Sequence, residues 1–268
     1  MTIKSYHVID LPDGTTTDGQ VDRRPDPTHF GLDGCPLMEG ARVLDVGAFD
    51  GVWSFWAEKA GADYVLATDV EEVVKYDWGW HGAPASLQGE RRDSSFHEIR
   101  EVLGSKVDRK ELTVYDIDPQ EHGLFDLVVF YGLLYHLRHP LLAFDRLRAV
   151  CNGAVVVETH TSEMSQKVPF MLFYRDNVLA NNPTNWCGPS EACVVHWMKD
   201  AGFDEVFFER AEKNPRPKRQ RFIGTVDERW TEVFSKRPNF QRVTKAYLEE
   251  GRNRVLRLLD GDIEAWGP

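Results

Sequence analysis

The sequence has no C-x-x-C pair. Its four cysteines, Cys35, Cys151, Cys187 and Cys193, are scattered through 268 residues, a length that buries a core without covalent staples. A disulfide scaffold is excluded, and a reducing, cytoplasmic setting is expected. No apolar run reaches the ~18 residues of a membrane span. Met1 to His7 lacks the apolar stretch of a signal peptide. Basic charge is also short: 32 Lys and Arg stand against 43 Asp and Glu, a net charge of −11. Such a chain is not built for broad contact with a phosphate backbone. Internal repeats and low-complexity tracts are missing, which excludes solenoids and arrays. The last absence is G-x-G-x-x-G. Counting from Gly47, position 49 is Phe and position 52 is Val, so the phosphate cradle of a dinucleotide site is not present.

What is present at that point is a short apolar strand, Val43 to Val46, running into an acidic, glycine-punctuated turn that ends at Gly51. A helical run from Val52 to Ala60 follows. A second apolar strand then starts at Tyr64 and leads to Asp69. This is a β-α-β unit with an acid at the tip of its second strand, the arrangement that holds a ribose-bearing cofactor. Gly47 and Gly51 permit close approach of backbone without a pyrophosphate site. A ligand with an amino-acid end and an adenosine end but no phosphates suits that loop, and S-adenosylmethionine (SAM) is the candidate.

Residues 1–40 read as an irregular N-terminal lid or arm. Residues 41–226 read as the core. Strands are expected at Arg42–Val46, Tyr64–Thr68, Glu111–Tyr115, Phe125–Tyr131 and Ala154–Glu158. Helices are expected at Gly51–Ala60, Phe96–Leu103, Pro140–Val150 and Glu191–Ala201. Two insertions, 71–95 and 160–187, break the alternation. Val206–Phe208 and Arg221–Val226 form a closing antiparallel pair, and residues 227–268 form a helical tail. The alternation predicts an α/β fold: a Rossmann-like, doubly wound, seven-stranded and mostly parallel sheet with an antiparallel last strand. Ligands then bind at the carboxyl ends of the strands.

Leu44-Asp-Val-Gly-Ala-Phe-Asp-Gly51 resembles motif I of the class I SAM-dependent methyltransferases. Phe125 to His136, Glu158-Thr159 and Asn185-Trp186 narrow the resemblance. They are similar to the subfamily of the bacterial tRNA wobble-uridine carboxymethyltransferase and related uncharacterised small-molecule methyltransferases. Tyr6 to Gly14 looks like the start of that uncharacterised group. The resemblance covers roughly residues 5–226; Phe49 departs from the small residue common at its position.

The resemblance implies that Gly47, Phe49 and Gly51 sit against the methionine portion of SAM, and that Asp45 helps hold its ammonium. Asp69 would accept from the ribose hydroxyls. Asp116 and the Ile117 N–H would meet the adenine, with Asp118 a competitor for that role. Tyr131 ends its strand among the cofactor-binding residues. Tyr135 and His136 fall where the methyl group is expected, and His136 is the candidate general base. His136 and His139 are three apart, but no cluster of Cys, Asp or Glu supports a metal.

Arg175, Asn185 and Trp186, with Trp80 and His7, are the candidates for contact with the acceptor; Trp78, His81 and Tyr6 stand beside them. Arg219 or Arg221 could reach an acidic ligand, although the basic run from 215 to 221 reads first as a solvated turn. In the tail, Val243, Tyr247, Val255, Leu258 and Leu259 suggest packing on the body or in a homodimer. The expected activity is methyl transfer from SAM to oxygen or nitrogen of a small molecule, with nucleic acid and membrane not expected as partners. The alternatives are a tRNA wobble-uridine modifier, with carboxy-SAM as a possible donor, and a SAM-binding protein without catalysis.

Overall fold

The computed structural model describes residues 3–22, 35–79, 81–91, 94–162, 164–165, 167–175, 177–209 and 219–267. The chain divides into two compact units, Met1–Val129 and Phe130–Pro268.

The first unit opens with β1 (Lys4–His7) and β2 (Asp18–Val21), which pair in parallel. The core follows with β3 (Arg42–Val46), α1 (Val52–Lys59) and β4 (Tyr64–Asp69). It continues through α2 (Ser94–Leu103), β5 (Asp108–Glu111), the short α3 (Pro119–His122) and β6 (Phe125–Tyr131), whose last two residues belong to the second unit. The strand order is β6-β3-β4-β5, with parallel partners Val43↔Leu127, Leu44↔Leu66 and Ala67↔Arg109. Val43, Leu127 and Val128 are fully buried, as continuous apolar runs in a sheet covered on both faces must be.

One expected strand is displaced. The sequence points to Glu111–Tyr115, but the strand is Asp108–Glu111, and Val114–Asp116 is a single 3-10 turn. The strand D-R-K-E lies at the edge of this sheet. An edge strand needs no apolar alternation on its solvated side, so Val114 and Tyr115 drew the expectation past it.

The second unit holds α4 (Pro140–Val150), β7 (Cys151–His160), β8 (Met171–Phe173), β9 (Cys187–Pro189), α5 (Glu191–Asp200), β10 (Glu205–Glu209) and β11 (Arg219–Thr225). It ends with α6 (Glu228–Ser235), β12 (Phe240–Arg242) and α7 (Lys245–Leu259). The order β12-β10-β11-β7 is antiparallel at each step. The alternating strands and helices, parallel in the first unit and antiparallel at the chain's end, form the expected Rossmann-like α/β fold, but with eight sheet strands where seven were expected, because β12 pairs outside β10.

The tail is not wholly helical. β12 adds a strand beside β10, and Trp230 and Phe234 of α6 are fully buried. Tyr247 of α7 donates to Glu191 of α5 at 2.9 Å. Val243 and Tyr247 thus pack on their own unit, while Leu259 is left exposed. Ser190 caps α5 by accepting from the Cys193 N–H at 3.1 Å. None of the described helices is long and apolar enough to cross a membrane.

Candidate functional site

The loop after β3 is held by main chain. The N–H groups of Gly47 and Ala48 both donate to Thr68 O of β4, at 2.8 and 3.0 Å. Gly47 and Gly51 have φ of 74° and 85°, in the left-handed region. At Gly51 a second constraint applies: a Cβ there would lie 2.6 Å from the Phe96 ring. Glycine is therefore required for conformation and for space. Phe49, between them, has φ 50° without being glycine, a conformation that costs on the order of 1–3 kcal/mol and persists only where neighbours impose it.

Those neighbours are Asp69 and Arg109. Asp69 Oδ2 accepts the Phe49 N–H at 2.6 Å, and Arg109 donates to Phe49 O at 3.0 Å. Asp69 Oδ1 accepts the Val70 N–H at 2.7 Å. Each carboxylate oxygen thus has one protein donor and retains acceptor capacity. Burial pushes the Asp69 pKa up, opposed by the Arg109 guanidinium and the two N–H donors. Asp45 is fully buried and accepts from Ser54 Oγ of α1 at 2.6 Å. Burial raises its pKa to about 7 against that hydrogen bond.

The arm reaches the same loop. Asp50, fully buried, accepts the N–H groups of Tyr6 and His7 at 3.0 and 2.6 Å, and meets His7 Nδ1 at 2.7 Å. The Tyr6 ring meets the Phe49 ring edge-on at 5.6 Å. Asp45, Gly47, Phe49, Gly51, Asp69 and His7 are therefore brought together in one unit.

Asp116 is exposed in the 3-10 turn beyond β5, and its Oδ2 accepts from Thr113 Oγ1 at 2.6 Å. Ile117 is buried, and its N–H has no partner among the described residues. The competing Asp118 is a helix cap, accepting the Gln120 N–H at 2.7 Å. Trp78 donates to Val73 O at 2.8 Å within its own insertion, and His81 is exposed. Trp80 lies outside the described residues.

In the second unit the chain leaves β6 at the buried Tyr131 and turns at Gly132, whose N–H donates to Glu158 O at 2.9 Å. Tyr135 is buried. Its hydroxyl accepts from Arg219 at 2.6 Å, and the Arg219 guanidinium lies 5.2 Å from its ring centroid. Arg219 also pairs with the buried Glu158 at 2.9 Å. His136 Nδ1 is 3.0 Å from Thr184 O. A carbonyl only accepts, so Nδ1 carries a proton.

The Trp186 backbone N–H donates to Tyr135 O at 2.8 Å, and the Trp186 ring stacks on Phe173 at 6.0 Å. Asn185 is buried, with Nδ2 donating to Leu179 O at 2.8 Å. Tyr131, Tyr135, His136, Asn185 and Trp186 are thus gathered, while Arg175 is exposed beyond β8. The ion pair of Glu158 with Arg219, the buried Asp50 and the buried Arg109 escape sequence reasoning. Each belongs to a pairing between segments distant in the chain; only the strand-end position of Glu158 hinted at one.

A glycine-turned loop after β3 and an acid at the tip of the neighbouring strand β4 belong to a domain of Rossmann-like type. Residues 29–206 match the family model described as a methyltransferase domain, and the chain belongs to that family. It is 33% identical over 176 residues to the tRNA U34 carboxymethyltransferase of Desulfotalea psychrophila, covering 64% of this chain and 48% of that protein. The protein of the same name from Chromohalobacter salexigens is 28% identical over 171 residues, covering 63% and 46%. The chain spans about half the length of these curated relatives.

Among solved structures, the N-terminal domain of EvdMO1 with SAH bound superposes with a TM-score of 0.58 at 17% identity, covering 82% of this chain and 90% of that one. The Burkholderia thailandensis 1,6-didemethyltoxoflavin-N1-methyltransferase gives 0.52 at 16% identity, covering 75% and 76%. These likenesses show a shared fold.

Proposed function

We propose that this chain is a SAM-dependent methyltransferase acting on oxygen or nitrogen of a small-molecule acceptor. The observation that carries the cofactor reading is Asp69. It ends β4, is fixed by two backbone N–H groups, and keeps an acceptor site on each oxygen for vicinal hydroxyls. The Ile117 N–H, without a partner among the described residues, fits a ring nitrogen, and Asp116 beside it fits an exocyclic amine. Asp45 sits beneath the loop that receives the amino-acid end.

SAM, when bound, supplies a methyl group already activated on a sulfonium. The protein's task is then to align the acceptor and take its proton. His136 Nε2 accepts that proton, because Thr184 O fixes the opposite nitrogen as the donor. Tyr135, braced by Arg219, shapes the same turn. His7, Trp80, Arg175, Asn185 and Trp186 are assigned to contact with the acceptor.

The net charge of −11 favours a small acceptor over a nucleic acid. So does the state of two arginines of the basic run: Arg219 pairs with Glu158, and Arg221 donates to Glu209 at 2.9 Å. Incubation of the chain with labelled SAM tests this, using a metabolite extract in one arm and bulk tRNA in the other. Label is expected in the metabolite fraction, and label entering only tRNA would contradict the proposal.

A second reading has one observation in its favour. The relatives' name implies a carboxymethyl donor, and Arg219 with the Tyr135 hydroxyl offers a carboxylate a cation and a hydroxyl donor at the end of β6. Carboxy-SAM binding tighter than SAM would favour that reading. The exposed Leu256, Leu259 and Ile263 at the end of the tail carry the expectation of a homodimer. Light scattering at twice the chain mass supports it, and a monomer contradicts it.

A further inference from the structure

Arg109 is charged, yet its side chain is only 4% exposed. It projects from the edge strand β5 at the register of Ala67. Its guanidinium lies over the Phe96 ring at 4.3 Å, Nε meets Glu71 Oε1 at 3.3 Å, and a terminal nitrogen donates to Phe49 O at 3.0 Å. Phe96 is also the ring that a side chain at Gly51 would strike. Arg109 and Phe96 therefore support the cofactor loop together.

The peptide units on either side of Phe49 are gripped by opposite charges. Asp69 takes its N–H and Arg109 takes its carbonyl. A non-glycine residue at φ 50° needs such a clamp, because its own sterics favour release to negative φ. Asp69 faces Arg109 on β5, Glu71 two residues further along its own chain, and Asp45 on β3. Arg91 pairs with Glu71 and His7 faces Asp45, while Arg109 is the guanidinium that reaches both Glu71 and the Phe49 carbonyl.

We propose that Arg109 is a positioning residue for the cofactor: it clamps Phe49 in the left-handed conformation and places its positive charge beside the acceptor Asp69. It does so through Phe49 and the Phe96 ring. The inference rests on the reading of Asp69 as the ribose acceptor. Two consequences separate it from a merely structural arginine. Glycine at position 49 adopts a positive φ without a clamp, so Phe49→Gly should offset part of the loss caused by removing Arg109. In addition, removal of the cation lets burial raise the Asp69 pKa further, so ligand affinity should fall more steeply as the solution is acidified.

The test is calorimetric titration of S-adenosylhomocysteine into the full chain at about pH 8 and about pH 5.5. The variants are Arg109→Met, Arg109→Lys, Phe49→Gly, the double variant Arg109→Met with Phe49→Gly, and Asp69→Ala. Arg109→Met is expected to weaken binding by at least about ten-fold at the higher pH and by more at the lower. Arg109→Lys should restore the pH profile but only part of the affinity, and the double variant should bind better than Arg109→Met alone. If Arg109→Met fails to fold, as judged by circular dichroism, Arg109→Gln takes its place with the same expectation.

Binding by the charge-removed variant within about two-fold of wild type at both pH values would overturn the inference. So would a loss that neither changes with pH nor responds to Phe49→Gly. Loss of binding in Asp69→Ala alone would leave the cofactor reading standing while the role of Arg109 fell. Unchanged binding in Asp69→Ala would remove the cofactor reading itself.

Discussion

In the first unit, the residues assigned to the cofactor are fixed by main chain and buried acids. Thr68 O takes two N–H groups of the loop, Asp69 takes one from the loop and one from Val70, and Asp50 takes two from the arm. In the second unit, Tyr135 and His136 are fixed by groups from distant segments: Arg219 on the hydroxyl, Glu158 on the arginine, and the Thr184 carbonyl on the imidazole. The difference is one of tolerance. A site built from backbone and strand tips receives an invariant ligand and accepts little change. A turn braced by groups from distant segments can be refitted to a new acceptor while the fold stays the same.

That contrast can be broken at several points. The largest effect is expected in the second unit. His136→Ala should slow methyl transfer by about 10²- to 10⁴-fold, the usual contribution of a general base, with cofactor affinity unchanged in calorimetry. Unaltered turnover would place the base elsewhere.

The next effect concerns Asp45 and pH. Below the ordinary value of 3.8, folded and unfolded chains both carry its proton. Between 3.8 and about 7 the unfolded chain has lost the proton and the folded chain keeps it, so stability falls as pH rises through that window and levels off above it. The drop is on the order of 4 kcal/mol. Denaturant melts across the window should show a shallower decline for Asp45→Asn than for wild type, and parallel declines would contradict the assignment.

Gly51→Ala should follow, destabilising the chain by about 2–3 kcal/mol because Cβ meets the Phe96 ring and φ remains left-handed. A neutral result in chemical denaturation would show that the loop yields more readily than the contrast requires. The smallest effect is expected at Ser190→Ala in the second unit. Loss of its cap on the Cys193 N–H should cost about 1 kcal/mol in the same assay, and SAM affinity should not change.

The sequence carries the first unit's site more fully than the second's. β3, β6 and α4 are legible to the residue, because apolar runs bounded by Gly or Pro admit one reading. The loop from Gly47 to Gly51 is legible because positive φ and close packing both demand glycine. β5 is not: its D-R-K-E pattern is that of a solvated edge, and the misplacement hides Arg109 inside what reads as a polar turn. Asp50 looks like a loop acid until the arm supplies its donors. The braces of Tyr135 and His136 are pairings across 84 and 48 positions, and no local periodicity encodes contacts of that range. Strand β12 is missed for another reason: its three residues are too few to show alternation.

The most direct test of the central claim is titration of SAM into the wild-type chain and into Asp69→Ala. Wild type is expected to bind in the micromolar range, roughly −8 kcal/mol, and the variant to lose at least about a hundred-fold, since two ribose hydroxyls lose one shared acceptor. Equal binding by the two proteins would contradict the account, as would a wild-type chain that ignores SAM and takes a nicotinamide dinucleotide instead.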